Sequence, residues 1–166
     1  MPKIIEKLPQ RLLEEARQQL TEMGYTALNI RAVAKNCGVG VGTVYNYYSS
    51  KDALVAEVLL LDWRECLTRI RAAAAADHGM EEIMRVVYQE LSAFNNQYEN
   101  LFHEAQAGGV TPQKHYHIIL RTQIAEVMQP FCPDEFTADF LAEALLVWSV
   151  EGVPYPKLRD LLLRIL

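Results

Sequence analysis

The sequence predicts an all-α fold. Apolar residues recur three and four positions apart along nearly the whole chain of 166 residues, which is the periodicity of a helix face. The strict alternation of apolar and polar residues that a half-buried strand shows is almost absent. With 51% apolar residues, the chain can form one core, or a small module fused to a larger one.

Three short helices are predicted at the N-terminus. The first follows Pro9, which suits an initial helical turn, and ends at Gly24. Asn29 can cap a second helix, which Gly38 closes. The third helix is predicted over residues 41–48.

A long fourth helix should lead from this group into the rest of the chain. Ser49 or Ser50 caps it, and it runs from residue 51 through an alanine-rich stretch to the region of Gly79. At roughly 1.5 Å per residue this helix spans about 40 Å, enough to leave one module and enter the next. Further helices are predicted over 80–98, 112–129, 134–148 and 158–165, and a short segment over 100–107 separates the first two.

Charge is distributed unevenly along the chain. Residues 1–51 carry seven basic and four acidic side chains, whereas the remaining 115 residues carry nine basic and seventeen acidic ones. The overall charge of −5 would by itself argue against a nucleic-acid partner. Its distribution predicts instead a small basic module attached to an acidic body.

Several classes of function receive no support. The longest apolar runs are about five residues, too short to cross a bilayer, and no signal peptide is recognised. The three cysteines are far apart, which favours a reducing cytoplasm over a disulfide framework. His115 and His117 lie two positions apart, which does not suit a metal site on a helix, and no catalytic motif is present. We therefore expect a cytoplasmic protein without cofactor, metal or enzymatic activity.

The stretch GVGVGTVYNYYSSKDAL, residues 38–54, begins with three glycines at alternate positions. A dinucleotide-binding loop would need a third glycine where Thr43 stands, and a Walker loop would need Gly-Lys-Ser/Thr. Glycine also allows a tight turn between helices, because Gly38 can adopt positive φ and Gly40 can cap the next helix. Two short helices joined in this way form a helix-turn-helix.

Nine short elements around this turn follow one another in a particular order and spacing. They are Gly24-Tyr25, Asn29-Ile30, Val33-Ala34, Gly38-Val39, Gly42-Thr43, Val44-Tyr45, Tyr47-Tyr48, Lys51 and Leu54. In this order and spacing the set resembles the TetR family of bacterial transcriptional repressors. The sequence departs from the family pattern at Gly40, where a serine commonly caps the recognition helix.

The resemblance implies a TetR-like organisation in two modules. Residues 1–50 would form the helix-turn-helix DNA-binding domain, and 51–166 a helical domain for ligand binding and dimerisation, with 51–78 as the connecting helix. Tyr47 and Lys51 resemble the family's phosphate contacts. Further phosphate contacts are expected from the second helix and the N-terminal arm. The candidates are Arg31, Lys35, Lys3, Lys7 and Arg11.

The third helix has side chains that suit the major groove of DNA. Val41, Gly42 and Thr43 are small enough to let the backbone approach the bases, and Tyr45 and Asn46 can reach base edges. Asn46 can pair with adenine through two hydrogen bonds. We expect this helix to read the DNA sequence.

The body carries candidates for a ligand pocket and a dimer interface. Members of the family hold a cavity among the fourth to eighth helices, and aromatic walls with polar tips would suit a mostly apolar ligand. The pocket candidates are Tyr88, Phe94, Tyr98, Phe102, His103, Tyr116 and Trp148. The apolar arc of the helix over 134–148 is too broad for one partner, which predicts a two-fold interface. Its candidates are Phe136, Phe140 and Val147.

These features favour a homodimeric transcriptional regulator, a repressor released from double-stranded operator DNA by a small-molecule effector. Such release requires that the effector prefer a conformation with wrongly spaced recognition helices. The alternative is a helical ligand-binding or protein-interaction module without sequence-specific DNA binding. An enzyme is the third possibility.

Overall fold

A computed structural model of the chain describes residues 7–76, 78–107, 113–164 and 166, without the side chains of 105–107 and 113–115. The helices follow in the order α1 (Leu8–Ala27), α2 (Ile30–Asn36), α3 (Val41–Tyr47), α4 (Lys51–Ala75), α5 (Met80–Gln97), α6 (Glu99–Ala107), α7 (Gln113–Met128), α8 (Glu135–Val150) and α9 (Tyr155–Leu162). A 3-10 turn, Gln129–Phe131, follows α7. The all-α prediction is therefore confirmed.

Local sequence signals set the helix boundaries of the N-terminal half. The Asn29 side chain accepts a hydrogen bond from the Arg31 backbone N–H at 2.9 Å and caps α2. Ser50, rather than Ser49, caps α4 by accepting from the Ala53 backbone N–H at 3.0 Å. Gly24 has φ +80° and interrupts the helical geometry of α1, as the sequence predicts.

The chain forms two compact units. The first contains residues 1–62 and 98–108, and the second contains 63–97 and 109–166, so α4 contributes to both. This division reflects packing, whereas the predicted division at residue 50 reflects function. The functional division stays a prediction.

The core of the first unit holds the helix-turn-helix together. Leu12 of α1, Val33 of α2, Val44 of α3 and Leu54 of α4 are all fully buried. Each such side chain contributes roughly 1.5–3 kcal/mol relative to an exposed position. Burial of Val44 leaves the opposite face of α3 free for another contact.

The second unit is built around α8. Leu141 and Leu145 of α8 are fully buried, and α7 and α5 both pack against this helix. The end of the chain is tied to α5, because the Tyr88 hydroxyl donates to the Val153 carbonyl and the Tyr155 hydroxyl donates to the Glu81 carbonyl at 3.0 Å. Burial raises the pKa of Tyr155 to about 12, so this hydroxyl keeps its proton at neutral pH.

Candidate nucleic-acid interface

Helix α3 presents polar and aromatic side chains to solvent. Tyr45 and Tyr47 are 49% and 51% exposed, and Asn46 between them is also exposed. Gly42 lies on the exposed surface near the start of the helix, and Val41 is half-buried. A helix with this face can bring hydrogen-bonding groups to a second macromolecule.

The start of α3 is open because no side chain caps it. Gly40 occupies the N-cap position with φ −74° and ψ 151°, and no side-chain hydrogen bond replaces the one that serine would make. The half-buried Thr43 donates its backbone N–H to the Gly40 carbonyl at 2.9 Å. A small, uncapped N-terminus lets the backbone of α3 approach a partner closely.

The back of α3 is fixed by packing. Tyr48 is half-buried, and its hydroxyl lies 3.5 Å from the Pro9 carbonyl of α1, to which it donates. Burial raises the pKa of Tyr48. This tyrosine therefore belongs to the support of the helix, in contrast to the exposed Tyr45 and Tyr47.

Basic side chains flank the exposed face of α3. Arg31 and Lys35 are exposed on α2, and α3 itself contains no lysine or arginine. In the N-terminal arm, Lys7 is exposed, whereas the Arg11 guanidinium donates to the Cys37 carbonyl at 3.3 Å. The third arm candidate, Lys3, lies outside the described residues. Arg11 thus supports the turn after α2.

Lys51, the first residue of α4, is held over the last turn of α1. Its ammonium nitrogen lies 4.3 Å from the centre of the Tyr25 ring and 3.5 Å from the Thr26 carbonyl oxygen, to which it donates. Partial burial lowers the pKa of Lys51, while the carboxylates of Glu104 and Asp52 act in the opposite direction. The side chain is therefore positioned rather than free in solvent.

Two carboxylates complete this turn. The Tyr25 hydroxyl donates to Asp52, and this hydrogen bond is the largest cause that raises the pKa of Tyr25 to about 12. Glu104 of α6 accepts from the Thr26 backbone N–H at 2.7 Å and from the Thr26 hydroxyl at 3.1 Å. These contacts join residues 27 and 78 positions apart, so no local sequence pattern indicates them.

The predicted pocket residues are divided between the two units. In the first unit, Tyr98 is 1% exposed, donates its hydroxyl to Asp62, and contacts the Phe102 ring edge-on at 6.5 Å between centroids. His103 is exposed and lies 3.6 Å from the Glu99 carboxylate. The structure therefore brings Tyr98 and Phe102 together and leaves His103 on the surface.

The other pocket candidates lie in the second unit. Tyr88 donates to the Val153 carbonyl, and Phe94 is 6% exposed. Phe94 packs edge-on against Trp63, with 5.9 Å between ring centroids. Tyr116 is half-buried, and Trp148 is 45% exposed. The assignment of these residues to a pocket stays a prediction.

The predicted interface residues lie on the solvent side of α8. Phe136 and Phe140 are 77% and 45% exposed, and their rings stand 6.5 Å apart. Val147, about three turns after Phe136 on α8, is half-buried. The assignment of these three residues to a dimer interface stays a prediction.

A metal site and a membrane-spanning helix both lack support in the described part of the chain. There, no three His, Cys, Asp or Glu side chains are grouped to hold a metal ion. No helix in the same residues has the length and apolar character needed to cross a bilayer. His117 contacts the Glu143 carboxylate at 2.9 Å, and His115 lies outside the described side chains.

The N-terminal helices match a known protein family. The family described as bacterial regulatory proteins, tetR family, matches residues 12–58, which include α2, α3 and the start of α4. The helix-turn-helix region of the chain is that of the TetR family. This relationship to regulatory proteins agrees with the expectation that the chain is not an enzyme.

Curated HTH-type transcriptional regulators match about half of the chain. The transcriptional regulator UidR of Escherichia coli is 29% identical over 77 residues, which are 46% of this chain and 39% of UidR. The regulator SAB2452 of Staphylococcus aureus is 28% identical over 99 residues, 60% of this chain and 54% of the relative. The matched part thus spans about half or less of these relatives.

Solved structures share the fold over nearly the whole chain. The multidrug binding protein EbrR, complexed with imidazole, has a TM-score of 0.72 at 21% identity and covers 98% of this chain and 96% of its own. The regulator FadR from Bacillus subtilis, in complex with stearoyl-CoA, has a TM-score of 0.57 at 16% identity and covers 94% of both chains. These likenesses show a TetR fold for both units.

Proposed function

We propose that the chain is a transcriptional regulator that binds operator DNA through α3. The observation that carries the proposal is the exposed face of Tyr45, Asn46 and Tyr47, flanked by Arg31 and Lys35 on α2. Bases are read by side chains in the major groove, whereas basic residues at the flanks bind phosphates and set the register. The acidic body does not oppose this, because the contact is confined to the basic N-terminal module.

Helix α3 contains no lysine or arginine, so we assign base contacts and phosphate contacts to different residues. Asn46 would bind adenine, while Val41 and the Thr43 methyl would contact thymine methyl groups. Gly42 would allow the close approach. Phosphate contacts would come from Tyr47, Lys51, Arg31 and Lys35. Few base contacts imply moderate affinity and some dependence on DNA shape.

Replacing Lys51 with alanine should weaken binding to all DNA alike. Loss of one phosphate contact in each half-site should lower the slope of log K against log salt by about one unit per contact, roughly two per dimer. The measurement is a gel-shift titration at several salt concentrations, using scrambled DNA and an operator selected from random sequences. The exposed Lys157 of α9 gives the matched control, and Lys157→Ala should leave the slope unchanged. A change confined to operator preference would contradict the assigned role.

The chain would act as a homodimer through α8. Exposure of Phe136 and Phe140 supports this, because burial of each ring contributes roughly 1.5–3 kcal/mol. The double substitution Phe136→Glu and Phe140→Glu should convert the dimer to a monomer at micromolar concentration in light scattering. Met23, 49% exposed on α1, supplies the control, and Met23→Glu should remain dimeric. If the wild-type chain is a monomer in the same light-scattering measurement, the proposed homodimer is refuted.

A small, mostly apolar ligand would release the DNA. The aromatic character of the candidate walls supports an apolar ligand, and EbrR and FadR are TetR-fold proteins whose structures hold small molecules. In a thermal-shift screen of metabolites, flat or apolar compounds should raise the melting temperature. Stabilisation by sugars and phosphates alone would contradict the proposal. Because the target is bacterial DNA, the protein would act in the cytoplasm.

A further inference from the structure

Glu104 places a carboxylate on donors at the surface of the DNA-binding unit. One oxygen, Oε2, accepts from the Thr26 backbone N–H at 2.7 Å and from the Thr26 hydroxyl at 3.1 Å. The same residue, Thr26, offers its carbonyl to the Lys51 ammonium at 3.5 Å. Two neutral donors and one cation are therefore gathered around a single residue.

This donor set has the chemistry of a phosphate contact. Proteins bind DNA phosphates through backbone N–H groups, threonine hydroxyls and lysine, and an ionised acceptor strengthens each such hydrogen bond. A carboxylate oxygen and a phosphate oxygen both accept hydrogen bonds from these kinds of donor. Thr26 is exposed, so the donors would be open to solvent without the Glu104 side chain.

The backbone is shaped to admit this carboxylate. Gly24 has φ +80°, and a Cβ atom at this position would lie 2.6 Å from Glu104 Oε1. The glycine therefore provides both the turn and the space that the side chain fills. Because Glu104 is carried by α6, occupation of the donors depends on the position of α6 against α1 within this unit.

We propose that the Thr26 N–H, the Thr26 hydroxyl and the Lys51 ammonium form a phosphate-binding site that Glu104 occupies as an internal competitor. The role of this site in DNA binding rests on the proposed function. The affinity of its donors for a phosphate oxygen is independent of that function. With Glu104 engaged, DNA binding is weaker, and displacement of α6 frees the donors. The position of α6 thereby sets the strength of a phosphate contact that does not depend on the DNA sequence.

The free protein tests the site without DNA. Inorganic phosphate is titrated into ¹⁵N-labelled wild type, Glu104→Gln and Glu104→Ala while the Thr26 amide resonance is followed. The matched control is Glu99→Gln, since Glu99 is the other glutamate of α6, is exposed, and its loss changes the net charge equally. A saturable shift is expected in both Glu104 variants and not in wild type or Glu99→Gln. Addition of Lys51→Ala should weaken the titration.

The DNA arm uses gel-shift titrations with operator and scrambled sequences. Removal of one negative charge beside a phosphate should tighten binding of Glu104→Gln to both DNAs by about threefold or more at low salt, and Glu99→Gln should change it much less. The salt slope should become steeper, by up to about two units per dimer. Melting temperatures establish that each variant is folded.

The two arms separate the possible failures. If Glu104→Gln and Glu104→Ala show no larger Thr26 shift with phosphate than Glu99→Gln, the site is refuted. If wild type binds an operator and Glu104→Gln binds it no more tightly than Glu99→Gln, the competitor role is refuted. If wild type binds no DNA selectively while the phosphate titration succeeds, the proposed function fails and the phosphate site stands.

Discussion

Replacing Asn46 with alanine should reduce discrimination at one base pair of each half-site by about 1–3 kcal/mol, because one bidentate contact to adenine is lost. Asn46 is exposed on α3, so its removal should leave the fold intact. The measurement compares the operator with single-base variants in gel-shift titrations. The largest loss should occur at a single A·T position, and the dependence on salt should stay nearly unchanged.

The control for this substitution is the exposed Asn100 of α6, whose replacement by alanine should not affect discrimination. Lys51→Ala provides the opposite pattern, since it should lower the salt slope and leave discrimination unchanged. If Asn46→Ala weakens operator and scrambled DNA equally, then Asn46 binds phosphate or positions the helix, and the assignment of base reading to it is wrong.

Replacing Asp62 with alanine should lower the free energy of unfolding by about 2–3 kcal/mol. Asp62 is 7% exposed, accepts a hydrogen bond from Tyr98 and forms an ion pair with Arg17. Its loss leaves a buried hydroxyl and a partly buried guanidinium without their shared acceptor. The value lies below that of a fully buried pair because the Arg17 side chain is 28% exposed.

Thermal unfolding followed by circular dichroism measures this effect, with an expected fall in melting temperature of roughly 4–12 °C. The matched control is Asp160→Ala, which removes an aspartate that is 61% exposed in its ion pair with Arg159 and should change stability by about 0.5 kcal/mol or less. A loss no greater than that of Asp160→Ala would show that the Asp62 cluster does not stabilise the first unit.

Local signals explain why the helices could be predicted from the sequence. Asn29 and Ser50 cap helices through contacts within three residues, and Gly38 closes α2 with φ +71°. Such interactions depend on a few neighbouring residues, which a single sequence displays. The exposed face of α3 follows in the same way from burial of Val44 three residues into the helix.

Contacts between distant residues could not be predicted in this way. No local sequence signal indicates that the Glu104 carboxylate contacts Thr26, 78 positions earlier. The aromatic pattern predicts Tyr98 as a pocket residue, which stays a prediction, but it does not indicate the hydrogen bond that the buried Tyr98 hydroxyl donates to Asp62. Residue type and helical spacing cannot distinguish a pocket wall from a buried hydrogen-bonding residue, because that depends on which helices meet.

The proposed DNA binding is tested most directly by selection of binding sites from random double-stranded DNA with the full chain. The account predicts enrichment of a two-fold symmetric sequence, as a dimer with two α3 helices requires, that binds at least about 10³-fold more tightly than scrambled DNA at physiological salt. If no sequence is enriched, because the chain binds all DNA equally or binds none, the proposed sequence-specific binding is contradicted. That outcome would favour a helical ligand-binding module whose helix-turn-helix no longer reads DNA.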